Sequence, residues 1–121
     1  VRAKAVLVRL GRALLERSGT VDPEVARQMA VGVARLYAQP QYRGRVFALA
    51  TTGVAGPGPD GDKPAGLVYV GLAIPAAFTA TGEPRVEAHR LQIAGGREDV
   101  RRGTVLHTLR ILSQFTEDSQ E

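Results

Sequence analysis

One stretch of the chain, residues 46–66, most constrains how it can fold, because an apolar run passes there directly into a loop rich in glycine and proline. Residues 46–50 have no polar interruption, which is typical of a strand buried on both faces in a parallel sheet. In an open α/β sheet, ligands bind beyond the carboxyl ends of such strands. Thr52 and Gly53 follow that run, and small residues there let backbone N–H groups approach a ligand.

The loop matches two phosphate-binding motifs only in part. Residues 56–61, G-P-G-P-D-G, have the letters of the dinucleotide fingerprint, but the D-K-P-A-G that follows cannot begin the helix which that fingerprint requires. A P-loop needs Gly-Lys-Ser/Thr, whereas Lys63 lies between Asp62 and Pro64. Two interpretations therefore stay open, a pocket for a small anion or nucleotide and a long connection between two core strands.

Helical and strand-like patterns flank this stretch on both sides. The predicted helices cover residues 6–15, the segment from Asp22-Pro23 to about Ala38, and the segment from about Arg97 to Phe115, and two further strands are predicted at 67–74 and 85–93. Helices before and after core strands predict an α/β fold. We expect a three-layer α/β/α sandwich with a mixed, mostly parallel sheet.

The length and composition fit one globular domain that covers residues 1–121. There is no cysteine, which excludes disulfides, thiolate zinc sites and cysteine nucleophiles. The longest apolar run, residues 67–78, contains Pro75 and is shorter than the roughly 18 residues of a membrane span. We therefore expect no membrane partner, and no targeting segment is visible.

The net charge of +4 raises the question of nucleic-acid binding. Basic residues alternate with Glu and Asp, and the aromatic residues are not interleaved with the short basic clusters at 43–45 and 101–102. A solvated surface explains this net charge better than a nucleic-acid site does. The sequence therefore argues against a nucleic-acid partner.

Two arginines at the start of the final predicted helix could bind an anion. Arg97 and Arg101 are four residues apart, where like charges repel, and they lie in the first turns, where the helix dipole disfavours cations. A bound anion would relieve both effects. Pairing with carboxylates such as Glu98 or Asp99 is the alternative, and the sequence does not decide between them.

Few other residues could carry out chemistry. Lys4 can act as a general base where burial favours its neutral form, but a lysine near a chain end is otherwise simply solvated. His89 and His107 are too isolated to build a metal site or a catalytic triad. The residues alone therefore predict a pocket without a nucleophile, with no metal and no cofactor.

Three groups of residues resemble motifs of the CinA C-terminal domain family, the nicotinamide mononucleotide deamidases. The most specific is T-G-V-A-G-P at 52–57 with K-P-A-G-L-V-Y-V at 63–70, which is similar to T-G-I-A-G-P…K-P-x-G-x-V-Y-I. Gly96-Arg97 and Val100-Arg101 resemble G-D-R-x-x-V-R, with Gly96 in place of the family's aspartate. Residues 14–26 resemble L-L-x-x-H-G-x-V-S-x-x-V-A, so the resemblance runs nearly from end to end.

The resemblance implies a cytoplasmic amidohydrolase that converts nicotinamide mononucleotide (NMN) to nicotinic acid mononucleotide and ammonia. In the family, a serine in an E-S-C-T-G-G loop attacks the amide, and a lysine in Y-S-N-x-x-K is its partner base. By alignment Lys4 takes the place of that lysine, whereas the strand–helix segment with the serine loop is not found in residues 1–121. The substrate-binding residues implied are Thr52, Gly53, Ala55, Gly56, Arg97 and Arg101.

Two functions from different classes follow from this resemblance. One is an NMN deamidase whose nucleophile segment lies upstream of Val1, and the other is a non-catalytic CinA-like module that binds a mononucleotide for regulation or scaffolding. An E-S-x-T-G-G loop encoded upstream would distinguish the enzyme from the module. The resemblance also implies a homodimer.

Overall fold

The computed structural model describes residues 19–37, 39–42 and 44–120, with Tyr42 and residues 116–120 described by their backbone alone. The predicted helix over 6–15 and Lys4 lie outside the described residues. In chain order, the main elements are helix α1 (Pro23–Leu36), strands β1 (Ala48–Gly53), β2 (Leu67–Ile74) and β3 (Arg85–Gln92), and helix α2 (Arg97–Gln120). This combination of helices and strands confirms the predicted α/β class.

Helix α1 begins where the sequence predicts, because the residue before it caps the helix. Asp22 has an extended backbone, and its carboxylate accepts hydrogen bonds from the N–H groups of Glu24 (2.9 Å) and Val25 (3.3 Å). Pro23 at the first helical position has no N–H to leave unpaired. The helix ends at Leu36, slightly before the predicted end.

The three strands form one antiparallel sheet in the order β1-β2-β3. The prediction of a mostly parallel sheet is therefore wrong for the described strands. Parallel neighbours need a crossover of about a dozen residues or more, usually containing a helix. The connections at 54–66 and 75–84 contain no helix beyond the short 3₁₀ turn Ala76–Phe78, so each strand returns beside its predecessor.

Strand β2 has the continuous apolar sequence of a parallel strand because it is buried on both faces. Val70 and Leu72 are fully buried in a cluster with Val100 of α2, against which Phe115 also packs. Gly71 alternates with them and lies under α1. Burial between two helices, rather than parallel pairing, thus explains the pattern.

Helix α1 lies close to the sheet because both surfaces carry small side chains. Ala30 packs with Ala48 and Ala73 in one buried cluster. At Gly71 a Cβ atom would overlap the carbonyl oxygen of Ala26, so the backbones of helix and strand are in direct contact there. This contact fixes the position of α1 over the centre of the sheet.

Two predicted boundaries differ from the structure. Strand β1 begins at Ala48 rather than Val46 and continues through Gly53, so the two threonines are strand residues. Helix α2 begins at Arg97 as predicted but continues to Gln120, beyond the predicted end at Phe115.

Candidate functional site

The loop between β1 and β2, residues 54–66, is closed at its base by an extension of the strand pairing. The Val54 N–H donates to the Leu67 carbonyl (2.9 Å), and the Gly66 N–H donates to the Val54 carbonyl (2.7 Å). These bonds continue the ladder of β1 and β2 past Gly53. The glycine- and proline-rich segment therefore leaves the sheet with a defined direction.

The tip of the loop is also hydrogen-bonded. Asp60 and Lys63 exchange two backbone hydrogen bonds, each of 2.9 Å. Between them Gly61 has a φ of +60°, which lets the chain reverse within two residues. The loop is thus an ordered projection from the sheet.

Gly66 brings the segment before α2 against the loop. Its φ is +88°, and a Cβ atom on it would overlap the carbonyl oxygen of Ile93. The Ile93 N–H donates to the Gly66 carbonyl (2.9 Å), and Gln92 Nε2 donates to the Ala65 carbonyl (3.0 Å). Close main-chain contact, which only glycine permits here, therefore places the start of α2 beside the loop.

The start of α2 is capped by its own first turn. The Gly96 N–H donates to Asp99 Oδ2 (2.8 Å), and the Val100 N–H donates to the Gly96 carbonyl (3.0 Å). Glu98 and Asp99 in this turn complement the positive end of the helix dipole. Gly95, with a φ of +109°, lets the chain turn into the helix around the Asp99 side chain.

Arg97 joins the helix to the loop. Its Nη1 atom donates to the Gly56 carbonyl at 3.1 Å, across a sequence separation of 41 residues. A guanidinium group has five N–H donors, so this bond leaves others for a ligand. The structure therefore places a cation of α2 directly at the turn that contains Gly56.

Arg101 is oriented differently from Arg97. Its Nη1 donates to Glu98 Oε1 (3.3 Å), and 69% of its side chain is exposed. This is the local carboxylate pairing that the sequence left open as the alternative to anion binding. An exposed pair of this kind contributes little stability, so the guanidinium can exchange partners at small cost.

The remaining predicted residues border the loop or support it. The Thr52 hydroxyl donates to the Thr20 carbonyl (2.5 Å), which ties β1 to the segment before α1. Gly53 packs closely on Val68 of β2. Ala55, next to Gly56, is half-buried within the loop. Lys4 lies outside the described residues, so its relation to this site stays a prediction.

Sequence reasoning missed Gln92 as a residue that supports the site. The sequence places Gln92 only within the predicted strand 85–93, whereas in the structure its amide holds the loop at Ala65. The available signal was weak, because a polar residue at the end of an edge strand is common. The antiparallel register, in which Gln92 pairs with Leu67, is what brings it there.

Together these residues bring the loop backbone and the first turn of α2 into contact. Backbone N–H groups at a helix start, a nearby guanidinium and glycine-rich main chain are groups that bind phosphate or carboxylate. Among the described residues, no group of His, Asp or Glu side chains is arranged to hold a metal ion. Neither described helix has the length and apolar character needed to cross a membrane.

The chain matches the family model "CinA C-terminal domain" over residues 1–116. It is 41% identical over 96 residues to a CinA-like protein of Chlorobium phaeovibrioides, a match that covers 78% of this chain and 21% of that protein. The chain spans about a quarter of the length of such curated relatives.

Two solved structures have the same fold. The competence/damage inducible protein CihA of Agrobacterium tumefaciens aligns with a TM-score of 0.71 and 30% identity, over 94% of this chain and 62% of that one. The competence damage-inducible protein A of Klebsiella pneumoniae aligns with a TM-score of 0.74 and 26% identity, over 93% and 62%. Together with the family model, these similarities show that the chain belongs to the CinA C-terminal domain family.

Proposed function

We propose that this chain is the nucleotide-binding part of a cytoplasmic NMN deamidase, an amidohydrolase that releases ammonia from the carboxamide of nicotinamide mononucleotide. The observation that carries the proposal is the contact between Arg97 Nη1 and the Gly56 carbonyl, which joins the start of α2 to the loop. That contact supports a phosphate site between the two elements. We further propose that the complete fold is a three-layer α/β/α sandwich and that the protein is a homodimer.

Each part of the proposed site has a chemical role in this reaction. The guanidinium of Arg97 neutralises the phosphate and positions the nucleotide. Arg101 contributes a second positive charge once it releases Glu98 and turns to the phosphate. Main chain at Gly53, Ala55 and Gly56 borders the substrate, where N–H groups can stabilise the oxyanion that forms during attack on the amide.

The remaining step requires a nucleophile and a base. We assign the base to Lys4 by the family resemblance, acting on a serine encoded upstream of Val1. The serine oxygen would attack the carboxamide carbon, Lys4 would accept the serine proton and pass it to the leaving ammonia, and water would then release nicotinic acid mononucleotide.

Ammonia release tests the proposed activity. The assay uses a protein that joins this chain to any residues encoded upstream of Val1, with NMN as substrate. We expect stoichiometric formation of ammonia and nicotinic acid mononucleotide. Saturable NMN binding without ammonia release would reject the deamidase and favour the non-catalytic mononucleotide-binding module. If the protein neither binds NMN nor releases ammonia, both functions are rejected.

In the same protein, Lys4→Ala should lower the rate of ammonia release by at least about a hundredfold, the effect expected when a general base is removed. The unfolding midpoint should stay close to that of the unsubstituted protein. Replacement of Arg102, an exposed residue of α2, by Ala serves as the control and should leave turnover unchanged. Undiminished turnover in Lys4→Ala would remove the lysine from the mechanism.

A further inference from the structure

A cavity of about 600 Å³ lies at the end of the sheet away from the loop. Strand β2 begins on the loop side, where Val68 pairs with Gly53. It ends on the cavity side, where Ala73 pairs with Ala48. Five residues of extended strand separate the two ends of this pairing, a distance of roughly 17 Å. The cavity is therefore separate from the site proposed for NMN.

The cavity has an apolar floor built from three elements. The last turns of α1, the end of β2 and the start of β3 surround it, together with the segment before β1. Apolar residues that line it include Val31, Ala34, Val46, Ile74, Pro84 and Val86. Its volume is within the range of about 300–1,000 Å³ found for small-molecule sites. It could accordingly bury the apolar body of an organic ligand.

Among the described residues, the two charged side chains that line the cavity are both cations. They are Arg35 in the last turn of α1 and Arg85 at the start of β3. Arg85 already donates to both carboxylate oxygens of Glu87, at 3.1 and 3.3 Å. Arg35 is exposed and has no carboxylate partner in the part of the chain that the structure describes. Within the described part of the chain, the Arg35 guanidinium therefore lies uncompensated beside an apolar floor.

We propose that this cavity binds an amphipathic monocarboxylate, with its apolar body on the floor and its carboxylate paired with Arg35. A planar guanidinium matches a carboxylate in a two-bond geometry, which combines charge with orientation. Arg35 is the one uncompensated cation among the described residues that line the cavity, and a single positive charge suits a monoanion better than a phosphate with two negative charges. The ligand is therefore of a different class from the mononucleotide bound at the other end of the sheet.

Calorimetric titration of the chain with decanoate, and separately with decan-1-ol, tests the proposal. We expect saturable binding of one decanoate per chain. Arg35→Gln should weaken decanoate binding about tenfold or more, because it removes a charge-assisted pair, and should leave decan-1-ol binding unchanged. The matched control is Arg27→Gln on the same helix, since Arg27 pairs with Glu24 and does not line the cavity.

A second variant, Ala34→Phe, fills the cavity and should abolish binding of both ligands. If circular dichroism shows that this variant does not fold, the comparison of Arg35→Gln with Arg27→Gln decides alone. Lack of saturable decanoate binding would overturn the proposal. Equal affinities in Arg35→Gln and Arg27→Gln would overturn it as well. Neither result depends on NMN binding or turnover.

Discussion

Replacement of Gly71 by alanine is expected to destabilise the domain by about 3 kcal/mol or more. Its Cβ atom would overlap the backbone carbonyl of Ala26 and lie 3.0 Å from the Arg27 nitrogen, so α1 would have to move away from the sheet. Urea unfolding followed by circular dichroism measures the change. A chain of this size should also lose roughly 10 °C or more in its melting temperature.

Whether Gly71→Ala lowers or raises the free energy of unfolding shows whether α1 packs on the strand at this residue. Without α1 above it, alanine would stabilise the strand by roughly 0.5–1 kcal/mol relative to glycine. Gly96→Ala provides the comparison, since the nearest atom to its added Cβ beyond the adjoining residues is Asp99 Oδ2 at 3.8 Å. It should cost about 1 kcal/mol or less. A stabilised Gly71→Ala variant would show that α1 does not pack on this face as described.

Gly66→Ala should be similarly destabilising, by roughly 3 kcal/mol, for two separate reasons. A left-handed φ of +88° costs about 1–2 kcal/mol for a residue with a Cβ atom. In addition, that Cβ would overlap the Ile93 carbonyl and lie 3.0 Å from Gln92 Nε2. Urea unfolding again supplies the measurement. Because Ile93 leads into α2, the variant should also bind NMN more weakly.

Gly82→Ala measures the cost of the left-handed backbone without the cost of steric overlap. Gly82 has a φ of +76°, and a Cβ atom added there would have no atom within 4 Å apart from its own residue and its two chain neighbours, so only the backbone cost applies. We expect Gly66→Ala to lose at least about 1 kcal/mol more than Gly82→Ala. Equal losses would mean that the loop and the segment before α2 are not in main-chain contact.

The sequence predicted the elements whose signals are local. The Asp22-Pro23 cap marked the start of α1, and the unbroken apolar run at 67–74 marked β2 within its observed bounds. Strand direction was predicted wrongly because double-sided burial has two causes. A parallel sheet produces it, and so does an antiparallel strand covered by a helix on each face.

Contacts within the site were predicted less well, because they join distant parts of the chain. The family motif pointed to the loop and to Arg97, but not to the bond between Arg97 and Gly56. The role of Gln92 depends on strand register, which no local pattern encodes. Likewise, the glycine at 66 reads as a turn residue, whereas the structure shows that it admits the Ile93 backbone.

The most direct test of the phosphate site is calorimetric titration of the chain and of Arg97→Gln with NMN and with nicotinamide riboside, which lacks the phosphate. Arg97→Gln should weaken NMN binding by roughly ten- to a hundredfold, the value of one charge-assisted hydrogen bond, and should leave riboside binding unchanged. Arg102→Gln, which changes an exposed charge on the same helix, should affect neither ligand. Unchanged NMN affinity in Arg97→Gln, or an equal loss for both ligands, would contradict a phosphate site between the loop and α2.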